Sequence, residues 1–473
     1  MKLWGGRFAH HDRDPQFENF SESFSLDQRW VRYDLRVNRA YVNALGEARV
    51  LRASEVRDLL RGLDALRRRI DRDPHWAHGE SSEDVHTWVE ARLARQVGSI
   101  AQKLRTGRSR NDLVATEARL YVKDAATELE RASLEVLRSL HHLARKYRDS
   151  VMPGYTHLQP AQPILFAHYL LAYFEVFSRD CDRLDDCRQR ADELPMGTGS
   201  IAGASFPINR IRLARELGFA RVSQNSIDAT SDRDSVCELL FACAMAAIHL
   251  SRLAEDLVIF SSAAFGFVDL ADAYSTGSSL MPQKRNPDAM ELIRGKAGRV
   301  VGRLTGMLAM LKGLPMAYNR DLQEDKAALF DSVDTARDSL QLMARVVGTL
   351  RVHADRMKSA TARGFITATD IADELVRRGI PFAEAHQQVG KLVRRCVVLE
   401  KTFADLTESE ALQCIPLWDA ALRAIAASPE NNLRQKQALG GTAPPQVERQ
   451  MRRAEAAIAR RARALRLKER VRG

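Results

Sequence analysis

From Leu113 the chain runs for more than thirty residues without a glycine or a proline, and within that stretch Leu120, Tyr121, Leu129, Val136, Leu137, Leu140, Leu143 and Tyr147 recur at steps near 3.6. That is the period of one helix face, and so long an unbroken stretch commits the chain to a helix well beyond average length. The same reading predicts further long helices over 164–193, 234–264, 287–312 and 323–350. Five such helices joined by loops imply an elongated bundle. Alternating patterns are nearly absent, so the fold class is all-α, with at most small β pieces in loops such as 203–208. Composition shifts near 103–106 and 361–369 divide the chain into an N-terminal helical domain (1–110), a central bundle (111–360) and a C-terminal helical domain with a basic tail (361–473). No internal repeat is visible.

At 473 residues, 45% hydrophobic and 28% charged, the chain has the balance of a soluble globular protein. Its longest unbroken apolar run, 239–248, is about half of what a bilayer span requires. No membrane helix and no secretory signal is expected. The six cysteines show neither Cys-x-x-Cys nor Cys/His ligand spacing, which points to reduced thiols in the cytoplasm and to no metal site. The formal charge of +11 is concentrated at the end: between 449 and 473, ten Arg or Lys against two Glu give +8, leaving +3 for the other 448 residues. This tail reads as a solvated basic helix or frayed extension, and a nucleic-acid partner is not expected.

Three loops share one kind of chemistry. The first, Thr276-Gly277-Ser278-Ser279-Leu280-Met281-Pro282-Gln283-Lys284-Arg285-Asn286-Pro287, ends as a helix start should, with Asn286 a good N-cap and Pro287 suited to the first helical position. That leaves a hydroxyl-rich stretch and two adjacent cations at the positive end of a helix, where cations belong only if an anion binds between them. The second, Thr106-Gly107-Arg108-Ser109-Arg110-Asn111-Asp112, places two arginines at another helix start, and arginine grips a carboxylate in bidentate fashion. The third runs from Gly154 through Thr156, His157 and Gln159 to Pro163 and supplies a group that titrates near neutrality. Dinucleotide, phosphate-loop, His-Glu-x-x-His and Gly-x-Ser-x-Gly signatures do not occur. A cofactor-free reaction on a small polycarboxylate remains.

The 277–287 loop resembles the signature of the fumarase/aspartase superfamily, whose members release fumarate from substituted succinates. Its wording Met281-Pro282-Gln283-Lys284 is similar to that of the argininosuccinate lyases. Further matches are Leu3-Trp4-Gly5-Gly6-Arg7-Phe8, Glu83-Asp84-Val85-His86, the second and third loops, Asn225-Ser226-Ile227-Asp228, and the segment from Ala317 to Lys326. The resemblance implies a homotetramer with a twenty-helix core and active sites shared between chains, acting on argininosuccinate by anti elimination. By motif it makes Ser278 the base, Lys284 and Asn286 the holders of the charged carboxylate, and His157, oriented by Glu291, the acid or relay. It gives Thr156, Ser109, Arg110 and Asn111 to the succinyl carboxylates, and Ser23, Asp27, Tyr318, Gln323 and Lys326 to the arginine end.

Three positions depart from the usual family pattern: Arg105 stands where His is common, Leu113 where Gln is common and Arg285 where Lys is common. Loss of a hydrogen-bonding group in the helix carrying Asn111 keeps open a related lyase that acts on another N-substituted aspartate. A non-catalytic protein built on the same fold is the alternative of a different class.

Overall fold

A computed structural model describes residues 14–470; the Leu3 to Phe8 motif lies outside them. Three helices dominate the N-terminal part: α1 (Val31–Glu47), α2 (Ala53–Arg72) and α3 (Val85–Val97). The bundle follows as α4 (Arg110–Lys146), α5 (Phe166–Arg190), α6 (Asp234–Ser261), α7 (Asp288–Leu311) and α8 (Asp325–Thr349). The predicted and observed ends of these five agree within a few residues. At 1.5 Å per residue, the 37-residue α4 is about 55 Å long. It begins on a capping box: Asp112 accepts from the Ser109 backbone N–H at 2.9 Å, and the Ser109 hydroxyl caps in return.

Among the described residues, buried side chains form three clusters. The largest joins the five bundle helices, a second packs the N-terminal part against the start of α4 and the 194–219 segment, and a third ties α9 (Ala368–Arg377), α10 (Phe382–Val398) and α11 (Ala420–Ala427) together. Helix α6 is long and apolar enough to cross a bilayer, but most of that stretch is buried in the bundle core.

The structure differs from the sequence reading in three places. The 203–208 segment is not a strand; Gly203 has φ +92°, and Pro207 has no N–H to give a ladder. The third loop is instead a β-hairpin, β1 (Val151–Thr156) with β2 (Gln159–Leu165), paired from Val151↔Leu165 to Thr156↔Gln159. Its two-residue tip is His157-Leu158, with φ of 56° and 58°, the doubly left-handed conformation that matches strand twist in tight hairpins.

The basic tail, expected in solvent, is helix α12 (Pro444–Arg470), and it docks on the bundle. Val447, Met451, Ala454 and Leu465 are buried in the central cluster. With Ile458, Arg461 and Lys468 they complete a stripe at alternating steps of four and three, the spacing of a coiled-coil seam. At the two cationic positions of this seam, Arg461 bonds to Asp182 at 2.7 Å and Lys468 to Glu130 and Asp185 at 2.6 and 2.7 Å. With Arg453, which pairs with Glu175, three of the tail's cations therefore answer carboxylates on α4 and α5.

Candidate active site

Where α4 and α8 begin, the chain encloses a cavity of about 370 Å³. Eight of the proposed site residues line it: Ser23, Asp27, Ser109, Arg110, Asn111, Tyr318, Gln323 and Lys326. The Ser23 hydroxyl donates to Asp27 at 2.6 Å, and the Lys326 ammonium lies 3.7 Å from both Asp27 and Asp325. Burial alone would discharge Lys326, yet the carboxylates of Asp325 and Asp27 outweigh it and hold its pKa above the ordinary lysine value. Behind them Arg233 closes the row on Asp325 at 2.6 Å.

On the facing wall Arg110 meets Asp84 at 2.6 Å and donates to the Thr87 hydroxyl at 3.2 Å. Asn111 donates to Ser200 at 3.3 Å. The loop carrying them is fixed from beneath: the second Asp112 oxygen accepts from the backbone of Gly197 and Gly199, both at 2.9 Å, and burial pushes its pKa up to about 6. Arg108, the other arginine of that loop, is buried, bonded to Asn38 and set over the Tyr41 ring. It supports the loop and lines the cavity together with Arg110.

Thr156, His157, Ser278, Lys284, Asn286 and Glu291 do not line this cavity. The hairpin follows the far end of α4, while the cavity sits at its start. Helix α6 likewise begins beside the cavity, at Arg233, and ends where Phe260 and Phe265 meet the ring of hairpin residue Tyr155 and its neighbour Phe267. An ion pair of Arg294 with Glu255 sets the first turns of α7 against the last turns of α6. The reactive loops therefore stand at one end of the bundle and the cavity at the other, separated by the 28 residues of α6, about 42 Å.

At that far end the signature loop is pinched by two short strands, Thr276–Gly277 and Arg285–Asn286. Asn286 lies in the second of them and Pro287 takes the N-cap position of α7, so Asn286 is not the cap its sequence context predicts. The Ser278 hydroxyl oxygen accepts from the backbone N–H of both Leu280 (3.2 Å) and Met281 (3.1 Å). Lys284 is exposed, and no carboxylate among the described residues pairs with it. Thr156 and His157 are exposed at the hairpin tip. Glu291 lies 3.9 Å from Arg294, and within one chain no hydrogen bond joins it to His157.

Sequence reasoning assigned no role to several residues that the cavity contains: Asp84, His86, Glu90, Arg105 and Arg320. Arg105, singled out as a departure, is bound to Glu90 at 2.5 and 2.7 Å. Glu83 to His86 formed part of the resemblance, and no spacing in the chain connects that motif to its partners. One group among the described residues has ligand atoms close enough for a metal ion: Asp34, His86 and Glu117, all within 4.8 Å of one another. Its His86 is already hydrogen-bonded to Asp34 at 2.7 Å, and the adjacent carboxylates favour a proton there.

Comparison with known proteins extends across the chain. A family model described as lyase matches residues 6–302, and one described as argininosuccinate lyase C-terminal matches 365–434. Argininosuccinate lyase from Moorella thermoacetica is 45% identical over 97% of this chain and 98% of its own length. The enzyme of that name from Chloroflexus aggregans is 48% identical over 96% and 97%. Among solved structures, a variant of EDDS lyase with bound fumarate superposes with a TM-score of 0.86 at 28% identity, covering 98% of this chain and 94% of that one. A class II fumarase from Schistosoma mansoni shares the fold alone, with a TM-score of 0.72 at 15% identity over 85% and 90% of the two chains.

Proposed function

The chain belongs to the argininosuccinate lyases, carbon–nitrogen lyases of the fumarate-releasing superfamily, and from that premise we propose how its own residues divide the reaction. Ser278, as the alkoxide, removes the Cβ proton of argininosuccinate. The electron pair left on Cβ forms the double bond of fumarate as the bond to the guanidino nitrogen breaks, and a proton reaches that nitrogen to release arginine. The observation that carries this reading is the pair of backbone amides on the Ser278 oxygen, with an uncompensated Lys284 in the same loop. A serine hydroxyl is too weakly acidic to act as a base unless fixed dipoles and cations favour its anion, and two aimed N–H groups provide that preorganised field.

Lys284 and Asn286 hold the carboxylate on which charge accumulates. His157 delivers or relays the proton, with Glu291 as its orienting carboxylate. Arg110, Ser109, Asn111 and Thr156 take the succinyl carboxylates. Asp27, Ser23, Tyr318, Gln323 and Lys326 take the arginine end. Every step uses groups of the protein, and none requires a cofactor.

Because cavity and reactive loops lie at opposite ends of one bundle, the working site draws on several chains, in a homotetramer. Helix α7 supports this assembly. It buries a narrow stripe, Met290, Ile293, Ala297, Val300 and Met307, and leaves Leu292 (60%), Val301 (37%) and Leu308 (52%) exposed. On it Gly295, Gly298, Gly302 and Gly306 have open space where a Cβ would stand, so another helix can approach closely. Apolar residues and bare backbone on one long helix fit burial against other copies of the chain. Cytoplasmic residence suits the six free cysteines; burial raises the thiol pKa of Cys181 to about 12, which keeps it protonated and inert.

The direct test supplies argininosuccinate and follows fumarate by ultraviolet absorbance, with adenylosuccinate and aspartate as controls. Turnover of argininosuccinate alone is expected; preference for another N-substituted aspartate would move the role of Arg105 and Leu113 to the centre.

A further inference from the structure

Beneath the cavity, four buried carboxyl groups from three parts of the chain share one imidazole. Asp27, Asp34, Asp84 and Glu117 are each at most 5% exposed, as is His86. His86 Nδ1 is 2.7 Å from Asp34 and 3.7 Å from Glu117. Asp84 caps the helix in which His86 sits, accepting from the Thr87 N–H at 2.8 Å. Neither Glu117 oxygen has a hydrogen-bond partner, and burial raises its pKa well above the ordinary carboxylate value, His86 opposing and Asp34 adding to the shift.

The outer two carboxylates each face two ways. Asp27 has His86 within its electrostatic reach on one side and Lys326 on the other; Asp84 has His86 and Arg110. Take the imidazolium away, and four carboxyls in a low-dielectric pocket would share only Lys326 and Arg110. Buried carboxyls in that situation take up protons, and a protonated carboxyl no longer anchors a cation.

We infer that His86 is a positioning residue whose buried positive charge keeps Asp27 and Asp84 ionised and thereby holds Lys326 and Arg110 in place for the substrate. Electrostatics agree with the geometry. Burial works against the His86 charge, but the carboxylates of Glu117 and Asp34 outweigh it and push the pKa up to about 10, so the imidazolium persists across the working range. Asp84, despite its burial, is held below the ordinary carboxylate value by His86 and Arg110. Glu117 is raised well above the ordinary carboxylate value by burial despite His86, and Asp27 is raised by burial even with Lys326 and His86 nearby, so both gain protons more readily if His86 loses its charge.

The inference rests on the reading that Arg110 and Lys326 grip the substrate, and the experiment separates the two. Compare His86→Gln with the charge-preserving His86→Lys, measuring KM for argininosuccinate, inhibition by fumarate and kcat from about pH 6 to about pH 9. In His86→Gln the carboxyls titrate near neutrality, so KM should be raised about tenfold near pH 7, the loss of one charge-assisted contact. That excess should shrink as pH rises and the carboxyls ionise, while kcat falls much less. His86→Lys should bring KM back toward wild type with a flat profile. A KM that is unchanged in His86→Gln, or raised by one constant factor at every pH, overturns the inference, since a merely structural defect has no reason to follow pH. If only His86→Lys folds, a KM near wild type supports the inference and a pH-independent rise overturns it. Arg110→Ala guards the premise: unchanged fumarate inhibition there would remove the site reading itself, whereas weakened inhibition beside a flat His86→Gln profile removes only the role of His86.

Discussion

The two ends of the bundle are built on opposite principles. At the cavity, Ser109 to Asp112 are locked by a capping box and by two further backbone donors, and Lys326 sits in a closed row of buried charges. At the other end, His157 stands on an exposed tip beside a Leu158 that is 65% exposed, and Ser278 is followed by a Leu280 that is 84% exposed. His157 and Leu158 also hold left-handed backbone angles that cost on the order of 1–3 kcal/mol each for residues with a side chain. On the proposed division of roles, the cavity of one chain holds the arginine end and part of the succinyl group, while Thr156, Lys284, Asn286 and the reactive groups reach the substrate from loops of other chains. A rigid pocket suits fixed carboxylates; a base and an acid on projecting loops suit a site that closes only in the assembly.

The largest effect should come from the reactive end. Ser278→Ala is expected to lower kcat roughly 10³-fold, within the range that removal of a general acid or base produces, with circular dichroism and oligomeric state unchanged. Retention of more than about a tenth of the rate would assign the proton to another group. At the cavity end the loss should be smaller and should fall on binding: Arg110→Ala is expected to raise KM and weaken fumarate inhibition by about 10- to 100-fold, the worth of a charged hydrogen bond. A pure kcat effect would place Arg110 in the chemistry and erase the contrast between the ends. Smallest in activity is the last helix, which touches neither end's chemistry. Met451→Ala removes a side chain that is 5% exposed and should cost about 2–3 kcal/mol of stability in denaturant unfolding, with kcat unchanged. No loss of stability would return α12 to the solvent.

Much of this was legible before any coordinates. The bundle helices announced themselves because an apolar face at steps of 3.6 over thirty residues has no other reading. The β1–β2 hairpin did not, because Pro153, Gly154, Pro160 and Pro163 signal a loop to local rules; the pairing depends on Val151, Leu165 and core neighbours far away in sequence. Helix α12 was misjudged because Arg461 and Lys468 interrupt its apolar seam. They fit there only because Asp182, Asp185 and Glu130, some 280 to 340 residues earlier, receive them. The network around His86 is silent in the sequence for the same reason, since its carboxyls come from three separate segments, 27–34, 84 and 117. Motifs reveal where chemistry is carried; partners across the fold reveal how it is held.

The central claim, that the cavity and the reactive loops of one site come from different chains, is tested by mixing two impaired proteins, one altered at each end. Arg110→Ala and Ser278→Ala are dissociated, reassembled together and assayed on argininosuccinate well below KM, with subunit exchange verified by mass labels. If the two residues reach a site from different chains, some reassembled sites hold both native side chains and the rate rises several-fold above that of Arg110→Ala alone. A mixture that stays at or below the Arg110→Ala rate after complete exchange would place Arg110 and Ser278 of one chain in the same site and contradict the account.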